Sequence, residues 1–149
     1  MIQWQQKMKD VISELLETMF FISVDFGSQN AETIYCLEST VCLSRDMRRV
    51  SIHLRLTESF ARAAAANFLG IDEEGVEWHD IEDVAKEMTN MIGGSYMLQM
   101  EGDRWSLGIP SAIRLTDGAD DQVADGLSIL YLDEAVGLIF LSEDGKVGC

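Results

Sequence analysis

The sequence predicts an α+β fold, three helices packed on an antiparallel or mixed sheet. Two observations carry that expectation. Apolar residues recur at helical spacing in three stretches, near 2–21, 57–70 and 80–100. Between and after them, shorter apolar or alternating runs are joined by polar turns, the pattern of hairpins. A length of 149 residues suits one domain, 1–149, and 47% hydrophobic content with a single proline argues for a compact globule.

Ile2–Phe21 reads as an amphipathic helix, with Trp4, Met8, Val11, Ile12, Leu15, Leu16 and Met19 repeating on one side. Its acids Asp10, Glu14 and Glu17 read as a solvated face. Phe26-Gly27-Ser28 ends that segment and a short polar loop follows. Thr33–Leu43 and Val50–Leu56 then read as two strands joined by the polar turn Ser44–Arg49. In the second, Val50, Ile52, Leu54 and Leu56 point inward, leaving Ser51, His53 and Arg55 on a solvated face. Arg45, Arg48 and Arg49 gather positive charge at the hairpin tip, where solvation is the plain account and docking of an acidic partner the alternative.

Thr57 is placed to cap a second helix, Ala61–Ala66 give it high intrinsic propensity, and Gly70 supplies its stop. An acidic connector, Asp72–His79, leads into a third helix from Asp80 to Met100, with Asp80 as the expected N-cap. After Glu101-Gly102 a strand alternates through Trp105, Leu107, Ile109, Ile113 and Leu115. Pro110 interrupts it, which requires an edge position or a bulge. Leu127–Leu132 and Val136–Leu141 form a closing hairpin that turns near Asp133-Glu134. Both its faces are apolar, so helices or a second subunit must cover it.

Charge and composition exclude several classes of function. With 26 acids against 11 bases the net charge is −15, which disfavours nucleic acid and anionic membranes as partners. No apolar run approaches the ~20 residues of a membrane span, and Lys7, Lys9, Asp10 and Glu14 break up any signal-peptide core, so a cytoplasmic location is expected. Cys36, Cys42 and Cys149 lack CxxC spacing. Cys36 and Cys42 on one strand would stand roughly 20 Å apart, too far for a mutual disulfide, and read as reduced, packed thiols. With only His53 and His79 besides, no metal site is expected.

The third helix has two different sides. Ile81, Val84, Ala85, Met88, Met91, Ile92 and Ser95 fall on a broad face that suits docking on a core. Asp83, Glu87, Asn90, Gly94 and Met97 form a narrow opposite stripe. It presents a carboxylate and a carboxamide, Glu87 and Asn90, one helical turn apart. Gly93-Gly94 is costly inside a helix, which implies that something approaches this backbone closely.

The residues from Glu87 onward, ExxNMIGGSYM, resemble the signature helix of the CheC/CheX/FliY family of chemotaxis phosphatases. The family pattern is an acidic or serine residue, then Glu, then Asn, and a later proline; here these are Asp83, Glu87, Asn90 and Pro110. Two-site members carry a second copy in their first helix. Asp10-x3-Glu14-x2-Glu17 departs from it, with Glu17 where asparagine belongs, so the chain is closest to the single-site CheX type.

The resemblance implies a CheX-like fold and a homodimer. It also implies a phosphatase acting on the aspartyl phosphate of a CheY-like response regulator, which brings its own Mg²⁺ and lysine; the chain needs no cofactor of its own. In the family the asparagine orients the attacking water and the glutamate engages the regulator's lysine, roles that pass to Asn90 and Glu87. Asp83, Gly93, Gly94 and Met97 are the expected partner-facing residues. The alternative is a non-catalytic module that binds a regulator, or an assembly component of a chemotaxis or flagellar complex.

Overall fold

The structure, a computed structural model, describes residues 2–29, 32–100, 102, 104–116, 123 and 125–143, excluding the side chains of residues 2 and 3. Three helices, α1 (Ile2–Met19), α2 (Glu58–Leu69) and α3 (Trp78–Met97), pack on one face of a curled antiparallel sheet. The strands are β1 (Asp25–Gly27), β2 (Leu37–Arg45), β3 (Arg48–Leu56), β4 (Ser106–Leu107), β5 (Ser111–Arg114), β6 (Leu127–Tyr131) and β7 (Glu134–Glu143). Their order is β1-β6-β7-β3-β2, with β4 and β5 both pairing the outer side of β2.

Alternation in β2 and β3 sets the two faces. Leu37, Val41 and Leu43 pair in register with Leu56, Ile52 and Val50, and all six side chains are buried beneath the helices. The hairpin turns over two residues, Asp46 and Met47, tighter than the expected Ser44–Arg49, with Asp46 in the left-handed region at φ 54°. The α2 helix begins and ends where expected. Thr57 accepts a hydrogen bond from the Phe60 N–H at 3.3 Å, and Gly70 closes it at φ 71°. A stacked pair, Phe20 and Phe68, and the Asn67 amide donating to the Phe20 carbonyl join α2 to the end of α1.

The third helix starts one turn earlier than expected. Glu77, not Asp80, is the N-cap, because Asp80 is the reciprocal half of a capping box and accepts from the Glu77 N–H at 2.9 Å. His79, expected in the connector, therefore lies inside the first turn between the Glu77 and Asp80 carboxylates. At the other end the helix stops at Met97 and Leu98–Met100 continue as tighter turns.

Three further departures have local causes. The three-residue β1 pairs with β6, where the sequence suggested only a chain break; so short a strand shows no periodicity. The edge strand is broken at Pro110 as expected. Gly108, Ile109 and Pro110 stand opposite Val41 and Cys42, so the extra residue forms a bulge that reverses the inward alternation. Leu107 points inward before it and Ala112 after it, and Ile113, expected inside, is 60% exposed. Third, Cys36 immediately precedes β2 as a free thiol, whereas Cys42 is disulfide-bonded, so the reduced reading holds for Cys36 alone.

On the sheet face away from the helices, His53 is not solvated as expected. Its ring stacks on Phe140 at 4.6 Å; Nδ1 lies 3.1 Å from Glu38, Nε2 lies 2.8 Å from the Ser142 hydroxyl, and Arg55 Nε donates to Glu38 at 2.7 Å. The Ser142–His53–Glu38 line has the connectivity of a hydrolytic triad. Yet Arg55 shares the carboxylate and Thr40 lies near the same ring nitrogen, which marks a satisfied structural network. Burial alone would raise the Glu38 pKa, but the hydrogen bonds and charges of His53 and Arg55 outweigh it and hold the carboxyl below its usual range. A depressed carboxylate stabilises the fold above its unfolded pKa, and that contribution is lost as pH falls through the folded value. Glu38→Gln should therefore cost on the order of 1–3 kcal/mol at neutral pH in urea unfolding, the gap to wild type narrowing in acid. An equal gap at pH 7 and pH 3 would show that the charge is not what Glu38 contributes.

Candidate functional site

The candidate site is the outward stripe of α3. Ile81, Val84, Ala85, Met88, Ile92 and Tyr96 are buried against the core, anchoring the helix over β2 and β3 with α1 and α2 beside it. Arg114 of β5 lies with its guanidinium 3.8 Å from the centre of the Trp78 ring, tying the first turn to the sheet edge. On the opposite side Glu87 is exposed and Asn90 half-exposed. Neither side chain forms a hydrogen bond or ion pair with the described residues. A carboxylate and an amide are thus held on a rigid element with their polar atoms uncommitted. An amide oxygen can accept from a water while its nitrogen donates to a neighbouring oxygen, and the carboxylate can take a cation.

The other stripe residues divide. Asp83 is exposed, with Lys86 Nζ 3.9 Å away. Met97 is half-buried and packs against the core, which leaves it partly available. Gly93 was expected to admit the regulator or a neighbouring helix; it is buried and what approaches it closely is the sheet. A Cβ there would stand 2.8 Å from Val41 Cγ1 and 3.0 Å from Leu107 Cδ1, so its missing side chain lets α3 sit close on β2 and β4. The signal that separates it from Gly94 was available: position 93 follows Ile92 on the buried side of the 3.6-residue repeat. Gly94 is different. A Cβ there would meet only Leu107 Cδ2 at an ordinary 3.9 Å, so internal packing gives no reason for the roughly 1 kcal/mol that a helical glycine costs against alanine.

Two features border the stripe, of which only the first lay outside the reach of sequence. A groove of about 590 Å³ opens between α1 and α3, with Gly94, Met91 and Leu98 on one wall and Asp10 and Glu14 on the other. The Pro110 bulge belongs to the strand that borders α3, and Ile109 beside it is 92% exposed. Among the described residues no group of three or more histidines, cysteines, aspartates or glutamates is placed to hold a metal ion, and no helix is long and apolar enough to cross a membrane.

Known structures share this fold. CheX from Vibrio vulnificus shares 16% identity and superposes with a TM-score of 0.75, over 95% of this chain and 97% of that one. CheX from Borrelia burgdorferi, solved in complex with CheY, BeF₃ and Mg²⁺, shares 15% identity at a TM-score of 0.74, over 96% and 99%. The FliM middle domain of Helicobacter pylori is more distant, with 11% identity and a TM-score of 0.54 over 92% and 86%. None of the curated proteins matches. The family model for the chemotaxis phosphatase CheX matches residues 39–132, a span that runs from β2 through α3 to the last hairpin. The chain belongs to the CheX family.

Proposed function

We propose that this protein hydrolyses the aspartyl phosphate of a CheY-like response regulator by inserting Glu87 and Asn90 of α3 into the regulator's own active site. The observation that carries the reading is an unpartnered carboxylate and amide one turn apart on an exposed helix of a CheX-family chain. The Borrelia burgdorferi CheX complex with CheY supports the class of partner, and beryllofluoride is a chemical mimic of an acyl-bound phosphoryl group.

An aspartyl phosphate is an activated acyl phosphate, already held by the regulator's Mg²⁺ and lysine. Faster hydrolysis needs chiefly a water fixed in line with the scissile P–O bond. Asn90 supplies that fix by accepting from the water through its amide oxygen. The water's lone pair attacks phosphorus, the P–O bond to the aspartate breaks with its electron pair, and carboxylate and inorganic phosphate leave. Glu87 pairs with the regulator's lysine and sets the register in which Asn90 meets the water. Asp83, Gly94 and Met97 lie along the approach, in a cytoplasmic encounter.

The test is a phosphate-release assay with a phosphorylated CheY-like regulator and this protein at substoichiometric concentration. Release of many phosphates per protein chain is expected. Tight binding that leaves the aspartyl phosphate's lifetime unchanged would turn the reading to a non-catalytic module, as the fold shared with the FliM middle domain allows.

We also propose a homodimer, on narrower grounds than the sequence suggested. Leu138 and Val136 of the apolar hairpin are already buried within one chain, so the hairpin does not itself require a second subunit. What supports association is the sheet edge at β5, with Ile109 and Ile113 exposed. Light scattering should give twice the chain mass of 16.6 kDa. A monomer at micromolar concentration would rule it out.

A further inference from the structure

We propose that the groove between α1 and α3 is the docking seat for a second segment of the phosphorylated regulator, one that carries an apolar side chain flanked by lysine or arginine. This rests on the phosphatase reading for the identity of the partner, and adds to it where and by what chemistry the partner is held.

Three observations converge on the groove. Its α3 wall runs from Met91 onward and includes Gly94, one turn beyond Asn90 on the same stripe, so a protein placed on Glu87 and Asn90 reaches it without a gap. Gly94 has no internal use for its missing side chain, in contrast to Gly93, which the sheet presses directly. A glycine retained in a helix without packing need is accounted for by a close external approach at that point. Third, the groove is apolar along its floor and acidic on one rim. Leu98 and Met19 at its ends are 83% and 42% exposed, and Met91 lines its side. Adaptable methionines and an exposed leucine suit an inserted apolar side chain.

The rim selects the sign of the occupant. Asp10 and Glu14 of α1 lie one turn apart on that wall, and neither is ion-paired among the described residues. Asp10 receives only a weak contact from the Gln6 amide at 3.4 Å. Both acids belong to the first-helix sequence that stops short of a second signature. In this position they supply complementarity to a cationic segment and steer its arrival.

The test measures binding, separately from turnover, using a CheY receiver domain from the same organism saturated with beryllofluoride and Mg²⁺. Gly94→Leu should weaken binding by about tenfold or more while thermal unfolding stays at or above the wild-type temperature. Charge reversal of the rim, Asp10→Lys with Glu14→Lys, should slow association by about tenfold at low salt, and the effect should shrink as salt rises. The same reversal at Glu73 and Glu74, exposed on the turn after α2, should leave association unchanged. If Gly94→Leu and the rim reversal both bind like wild type, the seat is not there, and the phosphatase reading stands without it. If the control reversal slows association equally, net charge and not the groove is responsible, and the proposal fails. Groove variants that lose binding while wild type never shortens the aspartyl phosphate's lifetime would confirm the seat and remove the catalytic reading.

Discussion

Asn90→Ala is expected to slow loss of the regulator's phosphoryl group by roughly two orders of magnitude or more, while folding and regulator binding persist. The side chain is half-exposed and makes no contact that the fold needs, and alanine is the better helix former, so stability should not fall. The loss is positional. A water with no acceptor to orient it samples directions far from in-line attack, and effects of that kind amount to several kcal/mol in pre-organised sites. Single-turnover decay of a labelled phosphoryl group at saturating protein isolates this step from docking. Wild-type decay in the variant would show that Asn90 does not position the water.

Glu87→Ala should affect both docking and turnover. Truncating one member of a charge pair enclosed at an interface costs roughly 2–5 kcal/mol, or about thirty- to several-thousand-fold in kcat/KM, because the regulator's lysine is left desolvated. Unlike Asn90→Ala, the change should appear in the concentration dependence as well as in the limiting rate. Glu87→Gln, which keeps the length and loses the charge, should recover little. A variant that binds the regulator as tightly as wild type would dissociate Glu87 from any register role.

The helices and both hairpins were legible because each carries its own local signal: the Thr57 and Gly70 caps of α2, the alternation of Val50–Leu56, the paired apolar runs of β6 and β7. The stripe of α3 was equally plain, since helical periodicity alone places Glu87 and Asn90 on the side away from Ile81 and Met88. Features that depend on a second strand were not legible. The reversal of facing after Pro110 follows from how many residues β2 offers opposite the bulge, which no local pattern encodes. His53 looked solvated because its own strand says so; Phe140, Ser142 and Glu38 come from neighbouring strands and enclose it. The helical repeat puts Gly93 on the buried side and Gly94 on the stripe, but that Val41 and Leu107 are what press on Gly93 is seen only in the structure.

Gly93 also limits how this chain can diverge. Because Val41 and Leu107 grip α3 at that one position, they fix the helix's rotation as well as its height. One residue inserted between Asn90 and Gly93 would turn the stripe by about 100° relative to the seat and carry Glu87 and Asn90 toward the sheet. Insertions in the connectors on either side leave that phase untouched. Length variation among functional descendants of this sequence should therefore accumulate before Glu77 and after Met100, while the spacing from Glu87 to Gly93 stays constant.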